Sequence, residues 1–192
     1  KQSLKTSFLW PLIRDTYIGI RDLPQLPAAY LHPWRRTALE RLASLKDIHK
    51  GRRAFIIGNG PSLKQTDLGK LANEITFGMN RIYLMFPELG FKTTYLSVVN
   101  DLVIEQTAGD LAALEIPKFI TWRSRRFFDP AQFAGDKYSN LPTFLYTTYD
   151  APRFSPDVRW RVWEGATVTY VTMQLAFHMG FDQVYIIGVD HN

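Results

Sequence analysis

Two stretches carry residue types that could handle a ligand. Residues 54–65 read AFIIGNGPSLKQ, four apolar residues running into Gly58, Asn59 and Gly60, then Pro61, Ser62 and Leu63. Glycine lets a backbone approach a ligand because no Cβ stands in the way. Pro61 suits the first position of a helix, where its missing N–H costs nothing. The amides behind it, including those of Ser62 and Leu63, would point toward an anion, with the Ser62 hydroxyl beside them. The turn matches neither common phosphate fingerprint: Lys64 follows Ser62 instead of preceding it, and Leu63 stands where a dinucleotide turn has its third glycine. A tight turn without a ligand accounts for the glycines about equally well. The second stretch, DQVYIIGVD at 182–190, ends an apolar run on Gly188 and Asp190, with His191 next.

Two asparagines, Asn80 and Asn100, each end an apolar run. The carboxamide offers an acceptor and two donors without charge, which suits a ribose hydroxyl or a base edge. Asparagine also favours turns, so either residue alone is unremarkable; both beside a glycine turn point to a nucleotide. The acid–base candidates are Asp101, Glu105, Glu164, Asp190, His178 and His191. His178 sits within an apolar helical run and reads as structural. Asp190, His191 and Asp101 stand at strand ends and are the catalytic candidates. No metal-ligand spacing is present, although a magnesium held mostly by phosphates would leave little trace. The stretches WRSRRFF (122–128) and PRFSPDVRWRVW (152–163) read as loops over the site that contact an acidic substrate; the plainer reading is a solvated basic face with docked aromatics.

These residues need a scaffold. Apolar runs at 54–57, 74–80, 93–100, 117–122, 143–148 and 182–190 read as strands, and helices are expected at 61–72, 101–114 and 166–180. Strands alternating with helices imply an α/β, Rossmann-like fold, a mostly parallel sheet with helices on both faces. In such sheets ligands sit beyond the carboxyl ends of the strands. Those ends carry Gly58–Gly60, Asn80, Asn100–Asp101 and Gly188–His191. Ahead of the first strand, Leu39, Leu42, Leu45 and Ile48 recur at helical spacing between Pro33 and Gly51. Residues 1–50 therefore read as an irregular, proline-cut arm plus a lead-in helix, and 51–192 as the nucleotide-binding domain.

The bulk properties narrow the class. The 192 residues suit one domain with an appendage. A net charge of +5 fits an anionic ligand as readily as nucleic acid, and no nucleic-acid motif is present. Cysteine is absent, which removes disulfides and thiolate chemistry. No run reaches the length of a membrane span, and no signal peptide is visible. The expectation is a cytoplasmic protein, with a peripheral membrane contact through Phe8, Leu9 and Trp10 as the weaker alternative. The start at Lys1 and the end on GVDHN, straight after a strand, suggest a domain truncated at its C-terminus.

FIIGNGPSLKQTDLGKLANEITFGMNRIYL resembles the opening of the bacterial lipooligosaccharide sialyltransferases, and EGATVTYVTMQLAFHMGFDQVYIIGVDHN resembles their later helix and strand. GMNRIY and IIGVDHN are closer to a broader family that includes bacterial motility-associated factors and archaeal-type 6-hydroxymethylpterin diphosphokinases. The resemblance covers roughly residues 46–192 and is most specific in its first block. It implies that Asn59, Gly60 and Ser62 meet the donor's phosphate and sugar and that Asn80 and Asn100 contact the nucleotide. It also implies that Thr167 opens the later helix and that Gly188 and Asp190 lie under the nucleotide. The histidine that serves the sialyltransferases falls beyond Asn192. The implied activity is glycosyl transfer from a nucleotide-activated sugar, a CMP-nonulosonate, to an acidic or glycan acceptor, with no metal cofactor required. The alternatives are an ATP- and magnesium-dependent diphosphotransferase, with Asp101 and Asp190 near the phosphates, and a non-catalytic binding module.

Overall fold

Side chains that alternate between two apolar layers organise the sheet. The structure is a computed structural model that describes residues 26–133, 140–150 and 153–190, with single positions 13, 16, 17, 20 and 23. Most of the expected arm, and His191, lie outside the described residues. The expected strands are β1 (Arg53–Ile57), β2 (Ile75–Met79), β3 (Tyr95–Val98), β4 (Lys118–Thr121), β5 (Thr143–Thr148) and β7 (Gln183–Ile187). Between the last two lies β6 (Arg161–Trp163), where the sequence reads as loop. Three residues are too few to show a period; register against Tyr146, Thr147 and Thr148 makes them a strand.

The strands run β6-β5-β4-β3-β2-β1-β7, and every neighbouring pair is parallel. Leu96, Val98, Ile120, Phe144 and Tyr146 face one core, while Ile56, Phe77, Tyr95, Phe119 and Leu145 face the other. This alternation is what a sheet buried on both faces requires. Helices α1 (Leu26–Leu31) and α2 (Pro33–Ser44) precede β1, α3 (Phe86–Leu89) and α4 (Asp101–Ala113) follow β2 and β3, and α5 (Val168–His178) follows β6. No helix among the described residues is long and apolar enough to cross a membrane.

The lead-in helix differs from its expected pattern. It ends at Ser44, and its buried stripe is Trp34, Arg35, Ala38 and Leu42; Ile48 is exposed. The chain beyond is instead tied to the end of α5, where the amides of Asp47 and His49 donate to the carbonyls of His178 and Met179. The helix expected at 61–72 is also corrected. It is two 3₁₀ turns, Pro61–Gln65 and Leu68–Leu71, broken at Thr66, which is extended at φ −105°, ψ 126°. Thr66 bonds its hydroxyl back to the Ser62 carbonyl, the local competition that shortens helices at such residues.

From β1 to β6 each strand lies beside its predecessor, with α4 on the first core; α5 then returns beneath β6, β3, β2 and β1 on the second core and delivers β7 to the far side of β1. March and return on opposite faces are what right-handed crossovers demand. The order therefore reverses between β1 and β7, the place where open α/β sheets form a ligand crevice.

The two strands meet there without room for side chains. A Cβ on Gly58 would lie 2.1 Å from the Gly188 carbonyl oxygen, and one on Gly188 would lie 2.3 Å from Leu63 Cδ2. Gly90 needs glycine for another reason: its φ is +73°, with nothing within 4 Å of an added Cβ. Gly90→Ala should then cost about 1–2 kcal/mol of stability. Gly58→Ala should cost about 3 kcal/mol, because backbone must move. Urea midpoints of the two variants, at unchanged slope, check the ranking.

Candidate functional site

The carboxyl ends of the seven strands place most of the expected residues on one edge. Around β7, β1 and β2 the turn Gly58–Ser62 faces Gly188–Asp190. Gly58 donates its amide to the Ile187 carbonyl at 2.8 Å and Gly60 donates to Gly188 at 2.8 Å. The Ser62 amide, expected to face a ligand anion, instead donates to Asp190 Oδ2 at 2.9 Å, and the Leu63 amide closes the turn on the Gly60 carbonyl. A Cβ on Gly60 would lie 2.4 Å from the same Asp190 oxygen. The glycine turn thus holds a carboxylate of its own chain.

The three asparagines do different work. Asn59 donates Nδ2–H to the Met79 carbonyl at 2.9 Å, tying the end of β1 to the end of β2. Asn100 caps α4, its Oδ1 accepting from the amides of Leu102 and Val103; this is the helix-start role that asparagine fills well. Asn80 differs from both. Its backbone is left-handed at φ 52°, its amide donates to the Ser97 carbonyl, and its Oδ1 is buried with no hydrogen-bond partner. The start of α5 lies alongside: Thr169 places its hydroxyl 3.5 Å from Met79 Sδ, and Thr167 caps the helix by accepting from the Tyr170 amide.

Around β3 to β6 the edge carries a network that the sequence did not reveal as one. Arg123, just past β4, donates Nε–H to both Asp101 oxygens at 3.1 Å and Nη1–H to Thr147 Oγ1 at 2.9 Å. Its Nη2 donates to the Val99 carbonyl at 2.7 Å and to the Tyr149 hydroxyl at 2.8 Å, and the guanidinium forms a two-pronged ion pair with Glu164. Glu164 is 1% exposed and also accepts from Thr147 Oγ1 at 2.6 Å. Ser124 donates its hydroxyl to Asp101. Burial works against the Arg123 charge, but the hydrogen bonds and charge of Glu164, with Asp101 and Tyr149, outweigh it and raise the pKa.

The basic-aromatic stretches are not a free lid. Trp122 and Phe128 are buried, Arg125 lies over the Trp122 ring at 4.2 Å, and Arg159 pairs with Asp157. Trp122 and Phe128 dock in the core while Phe154 and Trp160 stay exposed, and Arg123 turns inward to the strand ends. His178 is structural as expected, buried with Nε2 2.7 Å from the Leu42 carbonyl oxygen, and Glu105 is exposed on α4. Asp101 and Asp190 are not brought together. They follow β3 and β7, three strand spacings apart, or roughly 14 Å. Among the described residues no three His, Asp or Glu side chains gather as a metal cage.

A cavity of about 800 Å³ opens at the opposite, amino-terminal edge, lined by Lys118, Arg41, Glu115 and Asn140 among others. Burial, then Arg41, lowers the Lys118 pKa to about 8. Its ammonium already donates to the Leu114 carbonyl at 2.6 Å and to Asn140 Oδ1 at 2.7 Å, which makes it a clasp between loops.

No protein-family model and no curated protein matches the chain. Among solved structures, a MAf glycosyltransferase from Magnetospirillum magneticum AMB-1 matches at 17% identity and a TM-score of 0.43, over 80% of this chain and 27% of that one. This chain thus spans about a quarter of that protein's length. The resemblances to sialyltransferases, motility-associated factors and pterin diphosphokinases rest on the two short sequence blocks.

Removing one partner of a buried ion pair strands the other. Arg123→Ala and Glu164→Ala should each lower stability by about 3–5 kcal/mol. The double variant should fall short of their sum by about 1–3 kcal/mol in a double-mutant cycle. Arg123→Lys should behave like Arg123→Ala, because a point charge cannot serve five acceptors with fixed-fork geometry.

Proposed function

We propose that this chain is the nucleotide-binding part of a transferase, and that its work is glycosyl transfer from a nucleotide-activated sugar, with a CMP-nonulosonate as the donor. The observation that carries the reading is the Asn80 Oδ1, a buried acceptor without a partner at the carboxyl end of β2, one strand over from the β1–β7 junction. Such an orphan costs about 1–3 kcal/mol, and a hydroxyl or amino group of a nucleoside would repay it. The absence of a phosphate-loop lysine directly before Ser62 and the resemblance of the GNGPSL block support the same assignment.

In this reading the donor phosphate does not sit in the glycine turn, whose Ser62 amide is taken by Asp190. It lies at the start of α5, an 11-residue helix whose first two amides, Val168 and Thr169, lack intrahelical partners beside the capped Tyr170 amide and whose dipole favours negative charge. There it leaves with its charge stabilised. Asn59, Gly60 and the exposed Asp190 border the sugar. Asp101, partly buried at the neighbouring strand end, is placed to take the proton of an acceptor hydroxyl. The separation of Asp101 from Asp190 argues against the diphosphotransferase, which would need carboxylates to share magnesium beside the phosphates.

Thermal unfolding with CMP, CDP, UDP and ATP, each with and without magnesium, tests the assignment. Saturating CMP without metal should raise Tm by about 5–10 °C at a hundredfold excess over Kd. Asn80→Gly keeps the left-handed backbone without strain and removes the carboxamide; it should abolish most of that shift. A response confined to ATP with magnesium would establish the diphosphotransferase instead, and no response to any nucleotide would leave a binding module.

A further inference from the structure

We propose that the β3–β6 half of the edge is an acceptor subsite that takes a neutral pyranoside, stacked on Tyr149 and hydrogen-bonded to Asp101. The word acceptor rests on the reading of the β7–β1–β2 half as the donor site; the ligand class rests on the cluster itself.

Three features of that cluster specify the ligand. The first is a fixed aromatic platform. Tyr149 is 63% exposed, yet its ring is held against the Arg123 guanidinium at 4.3 Å and its hydroxyl accepts from Arg123 at 2.8 Å. A large apolar ring is left in water at the strand ends with little conformational freedom to lose on binding. Leu102, 66% exposed at the start of α4, adds a second apolar surface beside Asp101.

The second feature is charge balance. Arg123 and Arg126 face Asp101 and Glu164, with Arg126 Nη2 3.9 Å from Asp101 Oδ2. Two cations and two carboxylates leave no surplus to attract an anion. The cluster thus separates the acidic from the glycan acceptor, which the sequence left open together, and favours the glycan. The third feature is hydrogen-bonding capacity. Asp101 has a side chain 30% exposed and can accept from sugar hydroxyls. Burial and the Glu164 charge, against the opposing Arg123, raise the Tyr149 pKa. An aromatic face beside a carboxylate and a phenol matches a pyranose, which presents a C–H face and a ring of hydroxyls.

Saturation-transfer NMR on the whole chain tests this with methyl β-galactopyranoside and methyl β-glucopyranoside at millimolar concentration, and with the methyl glycoside of N-acetylneuraminic acid as the acidic comparison. The neutral glycosides should bind in preference to the acidic one. Tyr149→Ala should weaken them by about tenfold, and Tyr149→Phe, which keeps the ring, by no more than about threefold. The CMP shift should be unchanged in both variants. Equal binding by Tyr149→Ala and the parent, no transfer to either neutral glycoside, or preference for the acidic one would each overturn the proposal. Loss of the CMP response with glycoside binding intact faults the donor assignment alone.

Discussion

The meeting of β1 and β7 at their carboxyl ends is the constraint on which the edge depends. The two strands approach so closely that Gly58 and Gly188 leave no space for a Cβ, and Leu63 packs against Gly188 from the adjoining turn. The same geometry seats Asp190 on Gly60 and the Ser62 amide. Glycine is needed here less for conformational freedom than for volume: Gly58 has no positive φ. Once the turn is fixed, Asn59 reaches the Met79 carbonyl and registers β2, and α5 must pass beneath the sheet to bring β7 to this place. The crevice is a consequence of the crossover, held shut at its base by mutual steric demand.

A second physical tie joins the two halves of the edge. Glu164, just past β6, lies within the Arg123 network, and Thr167, three residues on, caps α5. The turn between them is tight: Gly165 and Ala166 are both left-handed, at φ 51° and φ 62°. For alanine that conformation costs about 1–2 kcal/mol, and it persists only where the surroundings over-determine it. The surroundings here are the Arg123–Glu164 pair on one side and the capped helix on the other. Arg123 therefore does more than neutralise a carboxylate. By holding Glu164 it fixes the start of α5, the place where the donor phosphate is proposed to lie.

How much of this could be read from the sequence follows from the range of each interaction. The strands were legible because a parallel sheet buried on both faces demands continuous apolar runs, and AFII, ITFGM and TFLYTT supply them. The position of Asn80 was legible as an asparagine at a strand end, but not the isolation of its side-chain oxygen, which depends on groups that only the fold brings around it. The helix read at 61–72 failed because Thr66 competes for a backbone carbonyl within the segment. Arg123 was hidden in a basic run, and its partners Asp101 and Glu164 lie 22 and 41 residues away. Nothing local distinguishes it from Arg125 or Arg126, which stack on Trp122 and Phe127.

The glycine turn then takes a different place in the chemistry from the one its sequence suggests. A phosphate loop leaves its amides empty for the ligand; this loop spends the Ser62 amide on Asp190 and the Leu63 amide on its own closure. A phosphate arriving there would meet a carboxylate already in position, and like charges repel most where water is scarce. Five residues of 3₁₀ turn also offer little dipole compared with α5. The turn is therefore better suited to aiming Asp190 and Asn59 at hydroxyl groups, and the longer helix to receiving negative charge. Under the proposed assignment, a hydroxyl-rich part of the donor would lie over β7 and β1 and its phosphate toward β2. The transferred group would then leave in the direction of β3, where Asp101 and Tyr149 stand.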